Sequence, residues 1–122
     1  MTRKRPLSKP RPVEIFRKPD RTGFRVAPSL RVYKKVGEGP DFQLVNRTHH
    51  TARVDFAHDK LVFDVLGGRW LSEAFDLPAG ATSGPLRVND RLPARRYKYT
   101  VLLVEPGLEA EGGSRPDIEI RK

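Results

Sequence analysis

Tyr97-Lys98-Tyr99-Thr100-Val101-Leu102-Leu103-Val104 is the longest β-prone run in the chain, and its alternate positions Tyr97, Tyr99, Val101 and Leu103 are apolar or aromatic throughout. Period two with β-branched and aromatic side chains marks a strand with one face buried. Shorter runs repeat the pattern. Phe42-Gln43-Leu44-Val45-Asn46 leads with Phe42 and Leu44 on one side, and Arg53-Val54-Asp55-Phe56 sets Val54 and Phe56 against charge. Leu61–Val65 groups Leu61, Phe63 and Val65, and Asp117–Arg121 alternates cleanly. With Leu86–Val88 and the weaker candidates Val13–Arg17 and Leu30–Val36, eight short strands are expected.

Breakers set the strand lengths. The chain holds eleven prolines and ten glycines, spread along its whole length. Few windows longer than about ten residues lack one, which leaves little room for a normal helix. Only Arg69–Phe75, around the single Trp, accommodates a short helix. Short turn-separated strands predict an all-β fold, an antiparallel Greek-key β-sandwich rather than a βαβ sheet. Tyr97, Tyr99, Val101 and Leu103 are expected to form one buried stripe, with Phe56, Phe63 and Ile118 nearby. Trp70 is expected in the same core, because Val65, Leu66 and Leu71 surround it in sequence.

Three pieces carry a family resemblance: Phe42–Phe56 with its Asn46-Arg47-Thr48-His49-His50 turn, Phe75–Leu86 with Pro78-Ala79-Gly80, and Arg96–Val101 with alternating Tyr. Residues 42–122 resemble a cupredoxin-like (immunoglobulin-like) β-sandwich. Blue-copper members take a Cys thiolate just after the Tyr strand, with a His and usually a Met downstream. This chain has no Cys, no His after His58, and no Met beyond Met1. A His₂Cys copper site cannot be assembled from it. The resemblance implies the fold and not electron transfer, and no cofactor is expected.

At 122 residues, one domain is expected, spanning 13–122 behind a basic Pro-rich arm at 1–12. The missing Cys excludes disulfides, zinc-thiolate sites, iron–sulfur clusters and thiol catalysis. A signal peptide needs an apolar run of about 7–15 residues, and the first twelve residues contain only Leu7 and Met1 as large apolar side chains. No stretch approaches the ~20 apolar residues of a spanning helix. The expected compartment is cytoplasmic, without membrane insertion.

The chain carries a net charge of +9, and its excess lies in the first 35 residues. That segment has twelve Lys/Arg against Glu14 and Asp20, while the rest is close to neutral. Such an arm attracts nucleic acid, an anionic membrane or an acidic protein surface. Candidate anion contacts are Arg3, Lys4, Arg5, Lys9, Arg11, Arg17 and Lys18, joined by Arg95, Arg96 and Lys98 of a second basic cluster that also holds Arg87 and Arg91. Tyr97 and Tyr99 interleave with this second group, as aromatics do in single-stranded nucleic acid binding. The competing reading turns both tyrosines inward and leaves the cations as a solvated face. No helix-turn-helix, RRM or finger pattern is present, so base-specific reading is not indicated.

Enzyme chemistry has little local support. Gly37-Glu38-Gly39-Pro40 ends in proline and opens no phosphate-binding helix, and no Ser has a nucleophile-elbow context. His49, His50 and His58 are the only imidazoles. A strand between His50 and His58 would hold them roughly 26 Å apart, so they read as turn residues and not as a metal site. The expected function is a non-catalytic binding module whose basic arm contacts nucleic acid or an acidic protein. The alternative is a protein–protein interaction or assembly module, acting on a partner or a second copy through edge strands and loops.

Overall fold

Strands account for all the regular structure among the described residues, which in this computed structural model are 10–17, 24–33, 41–105, 108–109 and 116–121. In chain order they begin with β1 (Arg11–Arg17), β2 (Phe24–Ala27), β3 (Leu30–Tyr33), β4 (Phe42–Asn46), β5 (Ala52–Asp55) and β6 (Val62–Asp64). There follow β7 (Arg69–Trp70), β8 (Phe75–Leu77), β9 (Leu86–Val88), β10 (Arg96–Lys98), β11 (Thr100–Leu103), β12 (Leu108–Glu109) and β13 (Asp117–Arg121). No helix among the described residues is long and apolar enough to cross a membrane.

One sheet has the order β2-β1-β4-β9-β6-β7, and two smaller ones run β10-β13-β3 and β12-β11-β5-β8. The smaller sheets meet at Tyr99, the one residue between β10 and β11, whose N–H donates to the Pro116 carbonyl at 2.9 Å. Most pairings are antiparallel. The purely antiparallel expectation is corrected at two places: β1 runs parallel to β4, with Val13 opposite Leu44, and β3 runs parallel to β13, with Leu30 opposite Ile118. Parallel neighbours need a crossover. The chain supplies one by leaving the six-stranded sheet after β2, adding β3 beside β13, and returning as β4. Alternation specifies which face of a strand is buried, but not its partner. The β1–β4 pairing also takes in Arg11 and Pro12, opposite Phe42 and Gln43, so the sheet begins before Val13.

The alternating positions meet in one apolar cluster, giving a sandwich-like arrangement. Val13, Ile15, Phe42, Leu44, Val62, Leu86 and Val88 come from the six-stranded sheet. Val54, Tyr97, Val101, Leu103, Ile118 and Ile120 come from the other two, and Tyr99 from the residue that joins them. The expected Tyr97–Leu103 stripe is buried as read, at no more than 3% exposure. Burying each such side chain contributes roughly 1.5–3 kcal/mol. Phe56, just after β5, centres the aromatic part of the core, 5.0 Å from Tyr99 and 6.1 Å from Phe75 between ring centroids.

Two expectations fail around Trp70. Arg69–Phe75 is not a helix: Arg69–Trp70 is β7, hairpinned onto β6, and β8 begins at Phe75. The turn explains why. Gly68 has φ +67 and donates its N–H to the Asp64 carbonyl at 2.8 Å. A Cβ at Gly67 would collide with the Asp64 carboxylate, which folds over the turn. This hairpin sets Trp70 opposite Phe63 on the outer face, and Leu71 takes the buried position. Trp70 is 38% exposed and Phe63 is only half-buried, so neither belongs to the core where the sequence placed them.

Asn46 and Thr48 are the buried polar residues among those described. Asn46 Nδ2 lies 2.8 Å from the His50 carbonyl, 2.9 Å from that of Leu77 and 3.1 Å from that of Pro78. Asn46 Oδ1 accepts from the Thr48 N–H at 3.0 Å and from Thr48 Oγ1 at 2.7 Å. The amide thus fastens the end of β4 to the end of β8 in the other layer. Asn46-Arg47-Thr48 also fits an N-glycan acceptor triplet, but the folded chain leaves Asn46 with no exposed surface.

Candidate functional site

Arg3, Lys4, Arg5, Lys9 and Lys18 lie outside the described residues. The other five candidate cations do not converge. Arg11 and Arg17 stand at opposite ends of β1 in the six-stranded sheet. Arg96 and Lys98 share the outward face of β10, across from Glu119 and Asp117 of β13. Arg95, one residue earlier, lies in the exposed bend that leads into β10. Its guanidinium carbon lies 4.6 Å from the centroid of the Tyr97 ring.

Acidic neighbours engage part of the folded body's positive charge, at Arg47, Arg53, Arg96 and Arg121. Arg96 Nε donates to Glu119 Oε1 at 3.2 Å, and Arg121 Nε donates to Glu119 Oε2. The Arg121 and Arg96 guanidinium groups hold the Glu119 carboxyl below its ordinary range. Arg53 reaches Asp76 through Nε at 2.8 Å and Nη2 at 3.3 Å, and lowers that carboxyl in the same way. Arg47 pairs with Glu14. Exposed pairs of this kind add little to stability, but they leave these arginines less available to an outside anion.

Arg95 lies in an open groove of about 590 Å³, lined by Asp55, His58, Asp59, Ser72, Leu92, Pro93 and Tyr97. His58 meets the Tyr97 ring edge to face at 5.2 Å, and Tyr97 Oη donates to the Pro93 carbonyl at 2.7 Å. Ala57 and Lys60 bracket His58 and Asp59 with left-handed φ values of +61 and +58. Asp55 Oδ1 accepts the Ala57 N–H at 2.8 Å, which helps hold that bend. With two aspartates beside one arginine, the groove is mixed in charge and not a cationic pocket. His50 lies at the other end of β5, its Nδ1 3.9 Å from Glu105 Oε2. No group of three His, Asp or Glu among the described residues is placed to hold a metal ion.

Tyr97 and Tyr99 are 2% and 3% exposed, so they offer no stacking surface to a ligand. The interleaving of aromatics and cations in that strand is resolved in favour of the core. Burial, reinforced by the Asp117 charge, pushes the Tyr99 hydroxyl well above its ordinary pKa.

The exposed aromatics are elsewhere. Trp70 of β7, Phe63 of β6 and Arg87 of β9 occupy one cross-strand row on the outer face of the six-stranded sheet. The Trp70 and Phe63 rings pack edge to face with centroids 5.1 Å apart. Asp41, which precedes β4, lies next to Arg87 and receives the Val88 N–H on Oδ2 at 2.8 Å. Burial raises the Asp41 carboxyl against the opposing effects of that hydrogen bond and of Arg87 and Arg11. The row left a trace in the sequence: Gly67-Gly68 between two short β-prone segments is a hairpin signal, and it fixes Phe63 opposite Trp70.

The chain matches no protein-family model, no curated protein and no solved structure. Its chemistry is therefore read from its own side chains.

Proposed function

We propose that the chain is a non-catalytic binding module, a cupredoxin-like Greek-key β-sandwich without copper ligands, whose basic N-terminal segment contacts a polyanion, nucleic acid foremost. The uneven distribution of charge supports this reading. The first 35 residues carry twelve Lys/Arg and two acids. In the folded body, Arg47, Arg53, Arg96 and Arg121 are engaged with Glu14, Asp76 and Glu119. The segment before Val13 has no acid of its own to neutralise it. Counterion release on phosphate binding then gives affinity that falls steeply with salt.

The test uses the full chain with Arg3, Lys4, Arg5 and Lys9 changed together to Gln. Binding of a fluorescent single-stranded oligonucleotide is followed by anisotropy across a salt series. The expected result is a steep log–log slope for the wild type, reduced by about two to three for the variant, at roughly 0.7 for each phosphate left unneutralised on a single strand. No wild-type binding at low salt, or equal slopes for the two proteins, overturns the proposal.

A further inference from the structure

We infer that the outer face of the six-stranded sheet at its β6–β7 edge is a stacking site for the bases of single-stranded nucleic acid, with the Trp70 indole as the platform and Phe63 as its brace. The inference rests on the polyanion reading above and names its ligand class and its place on the fold.

Geometry and charge support it together. Trp70 and Leu66 are the exposed large hydrophobic residues of the described structure, at 38% and 77%. The indole is braced by Phe63 at 5.1 Å, so ordering it for a ligand costs little side-chain entropy. Arg87 stands opposite Phe63 in register, on the same face. Trp70 also borders a recess of about 250 Å³ that Arg69, Ser72, Glu73 and Phe75 help to line. An aromatic face beside a cation is the arrangement by which single strands are held without base-specific hydrogen bonds. A duplex keeps its base faces stacked inside, so it can offer this platform only its terminal pairs.

A second copy of the chain is a poorer occupant. The chain's +9, concentrated in its first 35 residues, opposes the approach of a second copy and draws a polyanion to the molecule as a whole. β7 has only two residues, too short to template strand addition. A stable protein interface buries about 1,200–2,000 Å² in total, far more than one half-exposed indole and one leucine supply.

Trp70 is the only tryptophan, so its emission reports this site alone. The full chain is titrated with labelled oligo(dT), and with a hairpin duplex carrying the same number of phosphates, reading label anisotropy and Trp emission together. The expected result is quenching that tracks anisotropy for the single strand and no quenching by the duplex. Trp70→Ala should weaken single-strand binding about tenfold, and Trp70→Phe should recover part of it. Anisotropy without quenching, and with Trp70→Ala unchanged, overturns this site while the polyanion reading stands. No anisotropy change with either oligonucleotide overturns both. An emission shift that follows protein concentration without oligonucleotide assigns the face to a second copy and overturns the inference.

Discussion

Phe42 and Phe56 meet edge to face, with ring centroids 6.3 Å apart and planes at 86°, joining β4 of the six-stranded sheet to the end of β5 in the opposite layer. Both side chains are fully buried. Phe56 also touches Phe75 and Tyr99, so it bridges strands of one layer while bracing the other. Phe56→Ala should cost about 3–5 kcal/mol, the loss of burial plus the cavity left behind. Urea unfolding should show a lower midpoint at an unchanged slope. A midpoint equal to that of the wild type would mean that the layers are held together without this pair of rings.

The Asn46 amide can be tested without removing volume. Asn46→Asp replaces the donor Nδ2 by an acceptor facing the carbonyls of His50, Leu77 and Pro78. The new carboxylate would be buried among acceptors, and a loss of more than about 3 kcal/mol at neutral pH is expected. Acid should recover part of it as the carboxylate protonates. Thr48→Val removes only the hydroxyl hydrogen bonds to Asn46 and His50, and should cost about 1–2 kcal/mol. If the two variants unfold alike at every pH, the clamp contributes less than its geometry implies.

Asp41 gives the acid limb of the stability curve a sign that can be checked. Its folded pKa is raised above the ordinary 3.8 by burial, so between those two values the folded state binds more protons than the unfolded one. Its contribution therefore becomes less favourable as pH rises through that window. Asp76 and Glu119, both lowered by arginine partners, have the opposite sign and lose their contribution as pH falls. Asp41→Asn removes the first effect alone. The stability difference between wild type and variant should move in favour of the wild type as pH falls toward 3.8, read from melting temperatures across an acid series. A difference that is flat in pH, or of opposite slope, would show that Asp41 is not the group described.

The sequence was most informative where a run was long enough to show its period. Tyr97, Tyr99, Val101 and Leu103 are buried as the alternation predicted, and so are Phe42, Leu44, Val54 and Phe56. It was least informative for strands of two or three residues. In β7, the apolar neighbours Leu66 and Leu71 drew Trp70 into an expected core, when parity along the hairpin decides that Leu71 is buried and Trp70 is not. Local pattern also hid the parallel partners of β1 and β3, because pairing is settled by which strands the crossovers bring together. Arg95, Arg96 and Lys98 read as one basic cluster for a related reason. Arg95 lies in the bend before β10 and sits over Tyr97, while Arg96, on the strand, reaches Glu119.

The position of β13 bears on how the chain reaches this fold. It lies between β10 and β3, so Ile118 must find both Tyr97, close in sequence, and Leu30, most of the chain away. Until β13 is in place, neither β3 nor β10 has a neighbour in its sheet. This gap can close only after residues 117–121 have left the ribosome. Folding should then be slow for its size, as high contact order dictates. In the interval the gap is a place for chaperones or stray strands to engage.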